Sequence, residues 1–346
     1  MRTSDFNYEL PEELIAQVPI EDRVASRLLV VDRCSGSIFD KHFYDIATYL
    51  ESGDTLVLNN SKVLPARIFG EKEDTGAKIE FLLHKQVELN RWEVMARPGK
   101  RLKIGTVVCF DEGLSATVLE KKEDGLIDVR FECELSLFEV LHKIGSMPLP
   151  PYIKEKLEDK DRYQTVYAKI EGSSAAPTAG LHFTNELIEK IKTLGVNVCY
   201  VTLHVGLGTF LPVSEDEIDK HLMHYEYYEI SEETADLINR TKASGKKVVS
   251  VGTTCVRTLE ASAENNDGVV KSEARETNIF IYPGFEFKVV DSIITNFHLP
   301  KSTLLMLVSA FYDREKMLSI YHHAVESKYR FFSFGDAMFI SDIADK

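Results

Sequence analysis

The sequence predicts an α/β protein, a mixed-sheet α/β main domain carrying an inserted small antiparallel β-barrel. Three observations carry that expectation. Strand and helix signals alternate through the C-terminal half. Short β-branched runs separated by turn residues fill residues 68–150, at a spacing typical of small barrels. At 346 residues the chain is also too long for one core of ordinary size, so two domains are expected. The predicted division assigns 1–67 and 151–346 to a discontinuous catalytic-type α/β domain and 68–150 to the insert.

From the N-terminus, strand signals fall at 27–32 and 55–58, with a helical pattern at 44–51 between them. The second strand runs into Asn59-Asn60-Ser61, whose side chains donate and accept in several directions. The insert reads as strands near 68–71, 78–83, 92–96, 107–110, 116–120 and 127–131. Its turns are marked by Gly76, Pro98-Gly99, Gly105, Gly113 and Asp124-Gly125. A helix at 135–144 closes it, and Pro148, Pro150 and Pro151 make a stiff exit. Beyond, Thr184 caps a helix that Gly195 ends, and a strand follows at 196–203. Ser231 caps a helix at 232–244, with Gly245 at its end and a strand at 247–251. Gly252-Thr253-Thr254 leads into a helix reaching Ala263. Strands at 278–281 and 292–295 precede helices at 303–311 and 314–327. Such alternation favours a mixed or parallel sheet covered on both faces.

Composition narrows the class. No run approaches the ~20 apolar residues of a membrane helix, and the first ten residues, with Asp5 and Glu9, hold no signal-peptide core. Cys34, Cys109, Cys133, Cys199 and Cys255 are scattered and include no CxxC pair, which argues against a disulfide framework or zinc ribbon. A cytoplasmic protein without a membrane partner is expected. The net charge of -14 argues against RNA unless basic residues gather on one face.

Five segments concentrate chemistry. Residues 175–183, with Ala176, Thr178, Gly180 and His182, place small side chains ahead of a helix start, where free amides suit an anion; an ordinary turn and cap is an equal alternative. Residues 202–210 give a GxG at Gly206 and Gly208 after a strand, but Leu211 replaces a third glycine and Pro212 follows, so no dinucleotide fingerprint is read. His204 there competes with the commoner fate of a core histidine. His221 and His224, with Glu226 beside them, fit acid–base work better than a metal, since no HExxH accompanies them. Residues 252–260 put Gly252, Thr253 and Thr254 at a strand's carboxyl end, and set Arg257 and Glu260 three apart on one helix face, as a site or as a surface ion pair. Tyr282, Asn296, His298, Arg330 and Asp336 are polar groups among bulky apolar neighbours, hence a structural network or an active site.

Together these blocks resemble the S-adenosylmethionine:tRNA ribosyltransferase-isomerases, the queuosine-pathway enzymes. The resemblance also covers Asp5-Phe6, Leu10-Pro11, the run from Leu58 to Arg67, Met147 to Ile153 and Tyr163 to Tyr167, but matches weakly across the insert. Cys255 and Lys301 depart from the family's pattern. It implies a ribosyl transfer from S-adenosylmethionine, as a consumed co-substrate, to 7-aminomethyl-7-deazaguanine at the tRNA wobble position. Epoxyqueuosine-tRNA, adenine and methionine would be the products, with no metal or other cofactor and a monomer expected.

That chemistry needs a base for the C5′ proton acidified by the sulfonium, an acid or hydrogen bond for departing adenine, and an acceptor for the amine's proton. Residue types within the blocks give His204 or His224 as base, Glu260 or Asp336 as its partner, and His298 near adenine. The amides of 175–182 and Arg257 are expected to hold the methionine carboxylate. Arg97, Lys100, Arg101 and Lys103, around the Pro98-Gly99 turn, are expected to meet tRNA phosphates, although a solvated hairpin tip is the usual fate of such residues. The rivals are an S-adenosylmethionine methyltransferase and a non-catalytic tRNA-binding module.

Overall fold

The computed structural model describes residues 1–122, 125–150, 152–155, 157, 159–206, 213 and 215–343. β1 (Arg27–Asp32) and β2 (Ile38–His42) pair first, and a 3-10 helix, Phe43–Tyr49, leads to β3 (Thr55–Asn59) and β4 (Ser61–Val63). Next come β5 (Arg67–Lys72), β6 (Lys78–Glu88), β7 (Arg91–Arg97), β8 (Val107–Cys109), β9 (Ser115–Lys121), β10 (Ile127–Glu132) and α1 (Leu137–Ile144). β11 (Ile170–Ser173), α2 (Asn185–Thr193), β12 (Asn197–Leu203), β13 (Glu226–Ile230), α3 (Glu232–Ala243), β14 (Val248–Val251) and α4 (Gly252–Asn265) follow. β15 (Glu273–Thr277), β16 (Ser292–Asn296), α5 (Thr303–Phe311), α6 (Arg314–Glu326) and β17 (Ala337–Ser341) complete the described elements.

Nine strands form one sheet in the order β15-β13-β12-β3-β14-β16-β17-β1-β2. Its centre, β12, β3, β14 and β16, is parallel. β3, β14 and β16 are buried along their whole length, because helices cover both faces of the sheet. The two-residue period sorts their side chains: Val57 joins one core with Val256, Leu259 and Leu305, while Leu56 and Leu58 join the opposite core with Leu187, Ile191 and Phe43. β17 runs antiparallel to β16 and parallel to β1. One edge of the sheet therefore gathers the carboxyl ends of the four parallel strands and the amino ends of β17 and β1.

β5 to β10 close an antiparallel barrel in the order β10-β7-β6-β5-β8-β9, filled by residues such as Ile68, Phe81, Trp92, Val94, Val129 and Phe131. α1 packs Leu137, Val140 and Leu141 onto that core, started by a Ser136–Glu139 capping box. The mixed sheet and the six expected barrel strands are as predicted.

Two expectations are corrected. The strand expected at 278–281 lies instead at β15, Glu273–Thr277; Ile279 and Ile281 are buried as core contacts without a strand ladder. β15 itself is mostly exposed and polar, as a sheet edge permits. The helix expected at 44–51 is the 3-10 helix. Sequence patterning also missed β2, β4, β11, β13 and β17. Asp124, Pro151, Leu207, Gly208, Thr209, Phe210, Leu211 and Pro212, named above, lie outside the described residues. Among the described residues no helix is long and apolar enough to cross a membrane.

Candidate active site

A cleft opens at the carboxyl edge of the parallel strands. Its walls are residues 175–179, Val205 after β12, Gly252-Thr253-Thr254 after β14, the 295–298 segment ending β16, and Phe332 and Ser333. The small-residue stretch is held there by Ser173, whose hydroxyl donates to Ala175 O at 2.7 Å and accepts from Val205 N at 2.9 Å. Of the predicted residues, Ala176, Thr178, Gly252, Thr253, Thr254, Asn296 and His298 line this cleft.

α4 begins there with Gly252 at φ +84°, a left-handed conformation that glycine adopts without a Cβ penalty, and with no side-chain cap. The buried Thr254 Oγ1 has no hydrogen-bond partner. An uncapped helix start with an unsatisfied hydroxyl favours an anion, because the first amides and the helix dipole present positive potential.

Asn296 is the junction of a buried network. Its Oδ1 accepts from Thr178 Oγ1 at 2.9 Å and its Nδ2 lies 3.0 Å from His182 Nε2. Since that amide nitrogen only donates, His182 accepts at Nε2 and carries its proton on Nδ1, 2.8 Å from Ser26 Oγ. Burial, aided by Arg23 and Arg330, pushes His182 down to about 3, so the ring is neutral. His298 has Nε2 2.9 Å from Thr295 Oγ1, and the hydroxyls of Tyr321 and Tyr8 bond its backbone N and O. Burial pushes it, too, down to about 3.

His204 lies behind Val205. Its Nδ1 is 2.8 Å from Ser61 Oγ, and its ring stacks with Tyr227 at 5.7 Å. Gly172 covers the ring closely: a Cβ there would lie 2.6 Å from Nε2, so only glycine fits. Burial lowers His204 to about 4.

The second network centres on Glu226, a residue that sequence reasoning named only beside the histidine pair. Its Oε1 accepts from Gly206 N at 2.9 Å and lies 3.2 Å from His224 Nε2. Its Oε2 pairs with Arg257 Nη1, and Arg257 Nε donates to Ile279 O at 3.3 Å. Burial raises the carboxyl, but Arg257 and then His224 outweigh it and hold Glu226 at about 2. The detectable signal was a charged residue on the inward side of the alternating strand 226–230.

Other predicted residues lie elsewhere. Glu260 does not pair with Arg257; its carboxylate accepts from the amides of Lys288, Val289 and Val290 at 2.8, 3.1 and 2.8 Å. Asp336 accepts from Arg27 N at 2.9 Å and Arg330 N at 2.8 Å, while its carbonyl faces Asn296 Nδ2. Gly180 backs onto the Tyr167 hydroxyl, Tyr282 packs on Phe280 at 5.0 Å, and Arg330 donates to Val18 O. Arg97, Lys100, Arg101 and Lys103 are exposed on the barrel. Among the described residues no three His, Cys, Asp or Glu side chains are grouped as a metal requires.

The family described as queuosine biosynthesis protein matches residues 3–340. The crystal structure of an S-adenosylmethionine tRNA ribosyltransferase from Thermotoga maritima is 42% identical, with 97% of this chain and 100% of that chain covered and a TM-score of 0.56. Matched almost end to end on both counts, the chain belongs to the queuosine biosynthesis protein family.

Proposed function

We propose that the protein transfers and isomerises the ribosyl moiety of S-adenosylmethionine onto 7-aminomethyl-7-deazaguanine at the tRNA wobble position. Epoxyqueuosine-tRNA, adenine and methionine are the products. The observation that carries this reading is the cleft at the carboxyl edge of the parallel strands, with an uncapped helix start at one wall and neutral buried groups at another, in a chain 42% identical to a tRNA ribosyltransferase. No metal or further cofactor enters it, and it takes the protein as a cytoplasmic monomer.

Each role follows from the chemistry its surroundings allow. The α4 start, with Thr253 and Thr254, takes the methionine carboxylate in place of Arg257, whose charge is committed to Glu226. The small side chains of 175–179 admit the nucleoside. His298, held neutral, assists adenine departure as a hydrogen-bonding group rather than as a strong acid. His224 is the preferred C5′ base over His204, because the Glu226 carboxylate opposite Nε2 accommodates the positive charge that proton uptake brings. Asn296 orients Thr178 and His182, and Glu226 orients His224.

Incubation with S-adenosylmethionine and a tRNA carrying the aminomethyl-deazaguanine base tests the reaction. Adenine and methionine are expected, by chromatography, only with that tRNA. S-adenosylhomocysteine in their place would make the protein a methyltransferase, and tRNA binding without turnover would make it a binding module.

A further inference from the structure

A second pocket, open to solvent, adjoins the cleft through Ser333, which lines both. Arg23, Arg162 and His182 are among its walls. Arg330 stands beside it, bonded to the carbonyl of Val18 immediately before the lining residue Pro19. Arg23 and Arg330 both act on the His182 ring, and Arg162 acts on Arg23, so the three guanidinium groups share one electrostatic neighbourhood.

All three are held in the same way. Arg23 donates to Leu181 O at 3.0 Å and Asp161 O at 3.1 Å; Arg162 donates to Glu21 O at 2.8 Å and to Ile20 O. With Arg330 on Val18 O, every one of these acceptors is a main-chain carbonyl. Among the described residues none of the three forms an ion pair, in a chain where 55 acidic residues outnumber 41 basic ones. The carboxylates that act on them, Asp159 on Arg23 and Asp336 on Arg330, do so without forming an ion pair: Asp159 caps the amide of Asp161, and Asp336 accepts from two backbone amides. Arg162 Nε is buried and has no partner.

Carbonyl oxygens fix a guanidinium in place without cancelling its charge, and they leave part of its donor fork unused. Two such groups on the walls of one cavity, with a third beside it, form a preorganised anion site suited to a group with several charged or strongly accepting oxygens. The cavity also communicates with the cleft. His182, on its wall, is hydrogen-bonded to Asn296, on the cleft's wall.

We propose that Arg23, Arg162 and Arg330 bind a phosphodiester group of the tRNA strand next to the nucleotide being modified. This rests on the tRNA substrate proposed above. A strand anchored here presents its neighbouring base to the cleft, one hydrogen-bonded pair away. It also accounts for how an acidic chain holds RNA: a local site of arginines without ion pairs lies beside the chemistry.

The test compares wild type, Arg23→Met/Arg162→Met, Arg330→Met and Arg162→Lys, each checked for a cooperative thermal transition. Binding of the substrate tRNA is followed across a salt series, and S-adenosylmethionine binding is followed by calorimetry. The double variant is expected to bind tRNA roughly tenfold more weakly, as for the loss of charge-assisted hydrogen bonds. Its slope of log K against log salt should fall by about 0.7, the value for one single-strand phosphate. S-adenosylmethionine affinity should stay unchanged, and Arg162→Lys should keep most of the slope. If the double variant does not fold, Arg330→Met, which loses a single carbonyl bond, gives the same two readouts. Unchanged tRNA affinity and slope in a folded variant would overturn the proposal. So would lost S-adenosylmethionine affinity with tRNA binding intact, which would assign the arginines to the methionine carboxylate. Absence of tRNA binding by the wild type would sink both this site and the tRNA substrate itself.

Discussion

His182 and His298 are buried and pushed down to about 3, whereas in the unfolded chain each titrates near its ordinary 6.5. Between those values the unfolded chain binds more protons than the folded one, so stability rises with pH there. The contribution is complete above pH 6.5 and is lost as pH falls towards 3. At pH 5 each ring costs about 2 kcal/mol relative to neutral pH. Glu226, lowered from 4.5 to about 2, acts in the same direction between those two values, so it adds to the loss only in the acid part of the range and below it. Denaturant titrations are therefore expected to show a marked loss of stability between pH 7 and pH 5, with His298→Asn losing less than the wild type. Equal stability at the two pH values would mean that the rings are not held neutral by the fold. At this scale, Asn296 and His298 were legible as polar groups set among apolar neighbours. The partner of Arg257 was not legible. Glu226 lies 31 residues away, and no local spacing announces a pair made by two separate elements.

α4 shows what local spacing does and does not reveal. Arg257 and Glu260 suggest a pair, yet the helix sends one to β13 and the other to the 288–290 segment. Three amides occupy the Glu260 carboxylate, and burial raises its pKa despite them. We propose that its role is to fix that segment rather than to assist a base. Glu260→Gln keeps the shape but replaces one accepting oxygen with a donor, leaving at least one buried amide unsatisfied at a cost of about 1–3 kcal/mol. A lowered denaturation midpoint is expected, with turnover per folded molecule close to wild type. A collapse of turnover at unchanged stability would return Glu260 to the catalytic set. The same contrast governs the strands. β1, β3, β14, β16 and the six barrel strands were legible because each is a compact apolar or alternating run. β4 and β11 are too short to carry a period, and β15 is hidden by its polar, exposed edge.

Across the whole molecule, sheet order depends on pairings that no window of sequence contains: β1 lies against β17, with Leu28 opposite Ala337. Charge is likewise a property of placement. The total of -14 opposes RNA binding, but its distribution does not. On the barrel, Arg97, Lys100, Arg101 and Lys103 are exposed and make no ion pair among the described residues. Lys121 reaches across to the carbonyls of Gly99 and Leu102, both at 3.2 Å, steadying their loop and adding a fifth positive charge. A fixed, uncancelled basic tip can lower phosphate potential energy at long range, while the arginine cavity holds one phosphate at short range. We propose that the two act as separate contacts on one tRNA. Replacing Arg97, Lys100, Arg101 and Lys103 by Gln should then weaken tRNA binding and flatten its salt dependence, by up to about 0.9 in slope for each duplex phosphate lost. Combining that variant with Arg23→Met/Arg162→Met should add the two losses, since sites without shared partners are close to additive. An unchanged salt slope in the barrel variant would confine tRNA recognition to the α/β domain, and a combined loss no larger than the greater single one would show that the loop and the cavity hold the same phosphate.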